Sequence, residues 1–406
     1  MKKLIALLLA VACCVSMLSV AAFAAELEVE VDEDLSAILA DIQALVEKYG
    51  PEIPEEVKNG TVEGTRSDYK FTENSFYVAI GDDTTYGVDT YVSMLGKAKG
   101  ISYKNLADKG MMIEDVNEEF LEDNAEDILK ADLVTISFSV NGFAALVVEE
   151  VLKKEESSYI DWSRYLPEEG VAEIEDVLNR MSEYMDGLGV EGSLPFNPDI
   201  TLSDALVVAA ESFAFGTLAY TYTLPVVVDQ IHAMNPNAEI LVVGSDNPMD
   251  GATIKLSSGE GMDIGTYVDE LVKAMDNASQ AVAIERENVV FVSASDAANE
   301  NDGKELSETD LILSYLGGAN SKKARPNADG HAYIKDQILL SMSPKGDIDG
   351  DGVVSYLDAM MCLQAAVGLV TLSDAAVAIG DTDADGMLSY MDAMKILQAA
   401  VGLVTL

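Results

Sequence analysis

Residues 76–87 read Phe76-Tyr-Val-Ala-Ile-Gly-Asp-Asp-Thr-Thr-Tyr-Gly87, an apolar run that passes directly into a polar loop. Similar apolar runs recur at wide spacing, at Leu133–Phe138, Ile240–Gly244 and Val289–Ser293. Between them lie stretches with helical apolar spacing, at Ile113–Leu129, Ala205–Met234 and Ile264–Ala283. Strands that alternate with helices indicate a mostly parallel sheet covered on both faces. The sequence therefore predicts a three-layer α/β domain over residues 71–341.

One segment interrupts this alternation. Residues 156–203 contain Trp162 and several prolines, and they lack the spacing of the neighbouring strands and helices. We expect this insertion to cap one end of the sheet.

The composition argues against several classes of protein. The 406 residues include 71 acidic and 25 basic side chains, which give a formal net charge of −46. Such a charge repels the phosphate backbone and argues against nucleic-acid binding. With 49% hydrophobic residues and a mean hydropathy of +0.14, the chain is too apolar for global disorder.

The N-terminal region has the features of a secretory signal peptide over residues 1–24. Two lysines precede an apolar stretch, and residues 22–24 provide small side chains at the cleavage positions. A permanent membrane anchor is the alternative. The acidic segment 25–70 has apolar residues at helical spacing from Leu35 to Tyr49, which predict a helix packed on the main domain. Cleavage would leave Cys362 alone, so we expect a secreted chain without an internal disulfide.

The C-terminal region, 346–406, contains one motif twice. The first copy reads Asp347-Ile-Asp-Gly-Asp-Gly-Val-Val-Ser-Tyr-Leu-Asp358, and the second reads Asp381-Thr-Asp-Ala-Asp-Gly-Met-Leu-Ser-Tyr-Met-Asp392. Both copies lead into the same string, Ala-Ala-Val-Gly-Leu-Val-Thr-Leu. Such a repeat indicates one supersecondary unit built twice.

Each copy has the residue pattern of a calcium-binding loop. Oxygens at positions 1, 3 and 5, a backbone carbonyl at 7, a hydroxyl at 9 and a carboxylate at 12 surround the ion, and a glycine at 6 permits the turn. Position 12 is Asp, where the usual EF-hand has Glu. Acidic turns without an ion are the alternative. We expect folding of this region to depend on two calcium ions, because the carboxylates of each loop otherwise repel one another. The candidate ligands are Asp347, Asp349, Asp351, Val353, Ser355 and Asp358, and Asp381, Asp383, Asp385, Met387, Ser389 and Asp392.

The repeat, together with the Leu-Gln-Ala-Ala-Val-Gly-Leu helix sequence, resembles a dockerin, the module that attaches secreted enzymes to a cohesin on a cellulosome scaffold. The resemblance covers Gly346 to Leu406. It implies a small all-α domain of two loop–helix repeats that binds calcium and a scaffoldin cohesin. It also implies that positions 10 and 11 select the cohesin, here Tyr356-Leu357 and Tyr390-Met391. Large apolar side chains suit an interface anchor, and packing in the module's own core is the alternative.

Three loops of the α/β region carry a second resemblance. They are residues 81–87, residues 138–143 (Phe-Ser-Val-Asn-Gly-Phe) and residues 325–331 (Arg-Pro-Asn-Ala-Asp-Gly-His). In this order they resemble the SGNH (GDSL-type) esterases and lipases over about residues 72–341. The resemblance implies a flavodoxin-like α/β fold with a serine nucleophile after the first strand. It further implies an oxyanion hole that includes a glycine and an asparagine, and a histidine base near the end.

The chain departs from that family at the reacting groups. Asp83 stands at the nucleophile position, Arg325 at the base and Lys322 at its acidic partner, while Gly110 and Asn141 match two oxyanion donors. Acyl transfer needs a nucleophile, a base and an orienting acid. We therefore expect the serine hydrolase activity to be lost, and Asp83 to form a salt bridge with Arg325 so that each buried charge keeps a partner.

Other catalytic arrangements stay open at this point. Asp83 could act as a carboxylate nucleophile, and His331 or a serine not recognised by its motif could do the work. His232 lies in a helical stretch and is interpreted as structural.

Three functions are compatible with the sequence. The first is a non-catalytic SGNH-like module that a dockerin carries to a cellulosome active on plant polysaccharide. The second is an active carbohydrate esterase with unusual residues. The third is a calcium-dependent adaptor of the cell surface without catalysis.

Overall fold

The computed structural model describes residues 33–50, 52–60, 67, 69–140, 162–187, 193–194, 197–255, 261–307, 325–383 and 385–406. The predicted signal peptide lies outside these residues. The strands are β1 (Phe76–Gly81), β2 (Ser102–Asn105), β3 (Leu133–Ser137), β4 (Ser193–Leu194), β5 (Asn197–Thr201), β6 (Glu239–Val243), β7 (Thr253–Lys255), β8 (Gly261–Asp263), β9 (Val289–Val292) and β10 (Glu305–Ser307). The helices are α1 (Glu33–Tyr49), α2 (Glu55–Lys58), α3 (Tyr91–Lys99), α4 (Glu118–Asp123), α5 (Ala125–Lys130), α6 (Glu168–Gly187), α7 (Leu202–Met234), α8 (Gly265–Ile284), α9 (Ala328–Ser341), α10 (Tyr356–Ala366), α11 (Asp374–Gly380) and α12 (Tyr390–Ala400).

Five parallel strands form the central sheet, in the order β2-β1-β3-β6-β9. Numbered within this sheet, the order is 2-1-3-4-5, the flavodoxin-like order of a doubly wound fold. Two smaller sheets, β10-β7-β8 and β4-β5, lie outside it. The predicted three-layer α/β fold with a mostly parallel sheet is confirmed. In this topology ligands bind beyond the carboxyl ends of the strands, next to the switch between β1 and β3.

The two faces of the sheet belong to two separate cores. Side chains alternate along a strand, and in β1 Val78 and Ile80 pack in a core shared with α1, α7 and α8. Tyr77 and Ala79 face the other way and pack with α3 and α9. Leu39 of α1 is fully buried in the first core. The expectation that an N-terminal helix packs on the main domain is therefore confirmed.

The described part of the insertion joins the larger core. Its helix α6 packs against α1 and α7, and Trp162 is buried beside them. Val177 and Met181 give α6 an apolar face that these helices cover. That the insertion caps one end of the sheet stays a prediction.

Two loop–helix repeats form a small C-terminal module. Helices α10 and α12 pack against each other and bury Cys362 and Ile396. Each helix begins with a capping box, in which a serine at the N-cap pairs with an aspartate three residues later. Cys362 carries a free thiol. None of the helices in the described ranges combines the length and hydropathy that a bilayer crossing requires.

Candidate functional site

An ion pair lies at the carboxyl end of the sheet, between Asp83 and Arg325. Arg325 Nη2 lies 2.6 Å from Asp83 Oδ1, and Asp83 is 8% exposed. Burial raises the pKa of Asp83, while the Arg325 charge, the backbone N–H of Gly110 and the Lys109 charge lower it. The predicted salt bridge is thus confirmed. It joins the loop after β1 to the segment before α9, and Gly110 lies beside the same carboxylate.

Asp82 ties the loops after β1 and β3 together. Its Oδ2 accepts hydrogen bonds from the Ser139 backbone N–H at 2.7 Å and the Ser139 hydroxyl at 2.8 Å. Its Oδ1 accepts the Thr84 backbone N–H at 2.9 Å. The carboxylate is fully buried, and desolvation raises its pKa to about 6. These contacts hold Asp83 in place, because Asp82 and Thr84 flank it in the chain.

Two further buried acids lie in and beside the loop after β6. Thr84 Oγ1 lies 3.2 Å from Asp246 Oδ1, and burial, with the Asp82 charge, raises the pKa of Asp246 to about 7. Asp246 Oδ2 has no hydrogen-bond partner among the described residues. Asp276 of α8 accepts the Ser245 N–H at 3.2 Å, and burial raises its pKa to about 8. The loops after β1 and β6 and helix α8 therefore contain three buried acids whose pKa values lie between about 6 and about 8.

The two histidines occupy different parts of the fold. His331, in the first turn of α9, is 9% exposed, and its pKa is lowered to about 4 by burial and the Arg325 charge. Its ring is therefore neutral at neutral pH, and its Nδ1 has no hydrogen-bond partner among the described residues. His232 lies in the last turn of α7, which leads into the amino end of β6. That position is at the edge of the sheet opposite the site.

The structure brings Asp83, Gly110 and Arg325 together, as the sequence predicts. Asn141 and Lys322 lie outside the described residues. The acids Asp246 and Asp276 were missed. Asp246 follows the end of a buried strand, and that position is the signal that could have identified it. Asp276 gives no such signal, because it lies within an amphipathic helix.

Each C-terminal loop gathers three carboxylates. One oxygen from each member of the triplet lies within 4.8 Å of the others, in a triplet from each repeat. The same backbone donors organise both loops: Gly352 N–H donates to Asp347 Oδ2 at 2.8 Å, and Gly386 N–H donates to Asp381 Oδ2 at 2.8 Å. The triplets are Asp347, Asp349 and Asp351, and Asp381, Asp383 and Asp385.

The first loop contains a buried carboxylate oxygen without a hydrogen-bond donor, which a cation could coordinate. Asp347 is fully buried, yet its Oδ1 has no hydrogen-bond partner among the described residues. Burial and the charges of Asp358 and Asp351 raise its pKa, since like charges and desolvation both oppose ionisation. A set of carboxylate and carbonyl oxygens without thiolate or imidazole suits a hard cation. The triplets can hold metal ions.

The residues at positions 10 and 11 of the repeats are exposed. Tyr356 and Tyr390 are each 66% exposed, and Leu357 and Met391 are 39% and 41% exposed. Packing in the module's own core is therefore not their role. This exposed apolar surface, which the sequence did not predict, continues along both helices and just past their ends: Met360, Leu363, Val367 and Leu369, and Met394, Leu397, Val401 and Leu403.

The topology and the convergent loops define a doubly wound α/β domain with a site at the carboxyl ends of its strands, followed by an acidic loop–helix module. A scan against protein-family models and a search of curated proteins found no match to this sequence. Among solved structures, the chain is similar to an extracellular lipase from Streptomyces rimosus. That likeness has 15% identity and a TM-score of 0.38, and covers 64% of this chain and 97% of that one.

Two other solved structures are also similar to this chain. A phospholipase A1 from Streptomyces albidoflavus is 15% identical with a TM-score of 0.32, over 61% of this chain and 99% of that one. An acetyl xylan esterase from the rumen bacterium Butyrivibrio proteoclasticus is 11% identical with a TM-score of 0.27, over 65% of this chain and 62% of that one. At these identities and scores the likeness carries no conclusion about activity.

Proposed function

We propose that this protein is a secreted, cellulosome-associated module whose SGNH-like α/β domain no longer hydrolyses esters. The ion pair between Asp83 and Arg325 is the observation that supports the loss of activity. In an SGNH esterase these two positions hold the nucleophile and the base. Here a carboxylate faces a guanidinium, which stays protonated in proteins and cannot accept a proton. The N–H of Gly110, one of the expected oxyanion donors, faces the Asp83 carboxylate.

The remaining polar groups favour a structural interpretation of the site. The Ser139 hydroxyl donates to Asp82, so that its proton is already engaged. His331 is neutral and buried, and the Arg325 charge disfavours the imidazolium form that a general base must reach. Binding of a plant cell-wall carbohydrate at the strand ends is compatible with this site and needs none of these proton transfers.

The C-terminal module is proposed to be a dockerin that binds two calcium ions and a scaffoldin cohesin. The unpartnered Asp347 oxygen, the two matched triplets and the turn glycines at position 6 support the ions. The ligands would be the oxygens at positions 1, 3, 5, 7, 9 and 12 of each loop, and the ions would neutralise the crowded carboxylates. The exposed Tyr356 and Tyr390, repeated on equivalent helices, support the protein partner.

Capture of the full chain on immobilised cohesins tests this part of the proposal. We expect capture in millimolar calcium and its loss in chelator. The captured protein can also be assayed for hydrolysis of an aryl acetate, which we expect to be absent. Equal capture in calcium and in chelator, or no capture on any type of cohesin, would contradict the dockerin assignment. Ester hydrolysis lost in Asp83→Ala would favour the alternative of an active carbohydrate esterase.

A further inference from the structure

The last helix of the α/β domain belongs to two cores at once. Ile334 and Ile338 of α9 are fully buried beneath the central sheet. Leu340, near the end of the same helix, is buried instead among Ile348 and Ile379 of the C-terminal module. A side chain of the α/β domain thus forms part of the module's core, so the two parts of the protein do not pack independently.

The first acidic loop lies directly on this helix end. A methyl group added to Gly350 would lie 3.3 Å from Leu340 Cδ2, so the loop backbone is in close contact with that side chain. Ser343 Oγ donates to the Leu339 carbonyl at 2.9 Å and lies beside the Asp347 carboxylate. Ser343 therefore lies between the Asp347 carboxylate and the end of α9.

The second acidic loop has different surroundings. Its residue Thr382 accepts a hydrogen bond from Lys395 Nζ at 3.3 Å and donates through its hydroxyl to Asp392 at 2.9 Å. Both contacts are within the module. The loop follows α11, whereas the first loop follows the end of α9 after a short connector. The second loop reaches α9 through α11, which packs against that helix, whereas the first loop contacts Leu340 of α9 directly.

We propose that the first loop and α9 form one folding unit, so that calcium in the first loop stabilises the α/β domain as well as the module. This inference rests on the proposed calcium binding. Without an ion, the carboxylates of the loop repel one another and loosen its contact with Leu340. With an ion, the loop fixes the end of a helix whose first turn directly follows Arg325. Calcium then stabilises a domain that holds none of its ligands.

Thermal unfolding of the full chain, followed by the fluorescence of Trp162, tests this inference. Trp162 is the sole tryptophan and is buried in the α/β domain, so that it reports on that domain alone. At a hundredfold excess of calcium over its Kd, linkage predicts a rise in the Trp162 midpoint of about 5 °C. The matched variants are Asp347→Ala in the first loop and Asp381→Ala at the same position of the second. We expect Asp347→Ala to abolish most of the rise, and Asp381→Ala to retain more than half of it.

Calorimetric calcium titration of the same proteins separates this inference from the proposed function. If wild type binds no calcium, the calcium proposal itself fails. If wild type binds calcium but the Trp162 midpoint does not move, the coupling is wrong. If both variants lose the calcium-dependent rise in the Trp162 midpoint equally, the inference is also wrong, because the first loop would then contribute no more to the α/β domain than the second.

Discussion

Replacement of Arg325 by methionine would leave the Asp83 carboxylate buried without its partner. Removing one member of a buried ion pair typically costs about 3–5 kcal/mol. The side chain of Arg325 is 20% exposed, and Gly110 and Lys109 still stabilise the charge, which places the cost nearer ~2–3 kcal/mol. We therefore expect Arg325→Met to reduce the free energy of unfolding by this amount at pH 7, measured by urea unfolding with Trp162 fluorescence in saturating calcium.

The chain offers a matched control in Arg286. Its side chain is also 20% exposed, but its partner Asp229 is 61% exposed, against 9% for the side chain of Asp83. Exposed pairs contribute ~0–1 kcal/mol, so Arg286→Met is expected to cost no more than that. The double variant Asp83→Asn/Arg325→Met should regain at least half of the loss, because the amide carries no charge.

The pH dependence gives this prediction a sign. The variant raises the pKa of Asp83 further above its ordinary value of 3.8, so the penalty exists where the unfolded chain is ionised and disappears below about pH 4. A cost at pH 7 equal to that of Arg286→Met would refute the assignment of a buried ion pair. So would a cost that persists unchanged at acid pH.

The remaining predictions concern the buried acids and the exposed tyrosines. Native Asp246 and Asp276, with pKa values of about 7 and about 8, hold protons that the unfolded chain releases near pH 4. Their contribution to stability is complete below that pH and is lost as the pH rises to 7 or 8, by up to ~1.4 kcal/mol per pH unit for each acid. Urea unfolding should show a shallower pH slope in Asp246→Asn, and an unchanged slope would contradict the buried, protonated state. In calorimetric titrations with a cohesin that captures the wild type, we expect Tyr356→Ser combined with Tyr390→Ser to weaken binding at least tenfold, by loss of two anchors. Unchanged affinity would place the interface elsewhere.

The sequence predicts the central strands because they are continuous apolar runs. Strand β2 was missed, since Ser102–Asn105 is a polar strand at the edge of the sheet with mostly exposed side chains. The single helix predicted over Ile113–Leu129 is a short 3-10 turn followed by α4 and α5. Asn117 caps α4 through a side-chain hydrogen bond to the Phe120 N–H, and Asn124 separates α4 from α5. Periodicity alone does not report such local competition for backbone groups.

The part of the site that depends on the order of loops along the chain could be predicted from the sequence. Asp83, Gly110 and Arg325 follow from a family-like order of loops, because carboxyl ends of parallel strands share one edge of the sheet. Asp246 and Asp276 were not found, since burial of an acid is contrary to the usual expectation and depends on tertiary contacts. The repeats gave the acidic triplets directly, because every member of a calcium loop lies within twelve residues.

Turnover of an ester substrate by the purified full-length protein tests the central claim most directly. The assay compares wild type with Asp83→Ala on an aryl acetate and on acetylated xylan, with calcium present and product release followed for hours. We expect both proteins to release product at the rate of buffer alone, because Asp83 faces Arg325, whose guanidinium cannot accept a proton. Hydrolysis by wild type that is lost in Asp83→Ala would contradict the account and establish an active esterase.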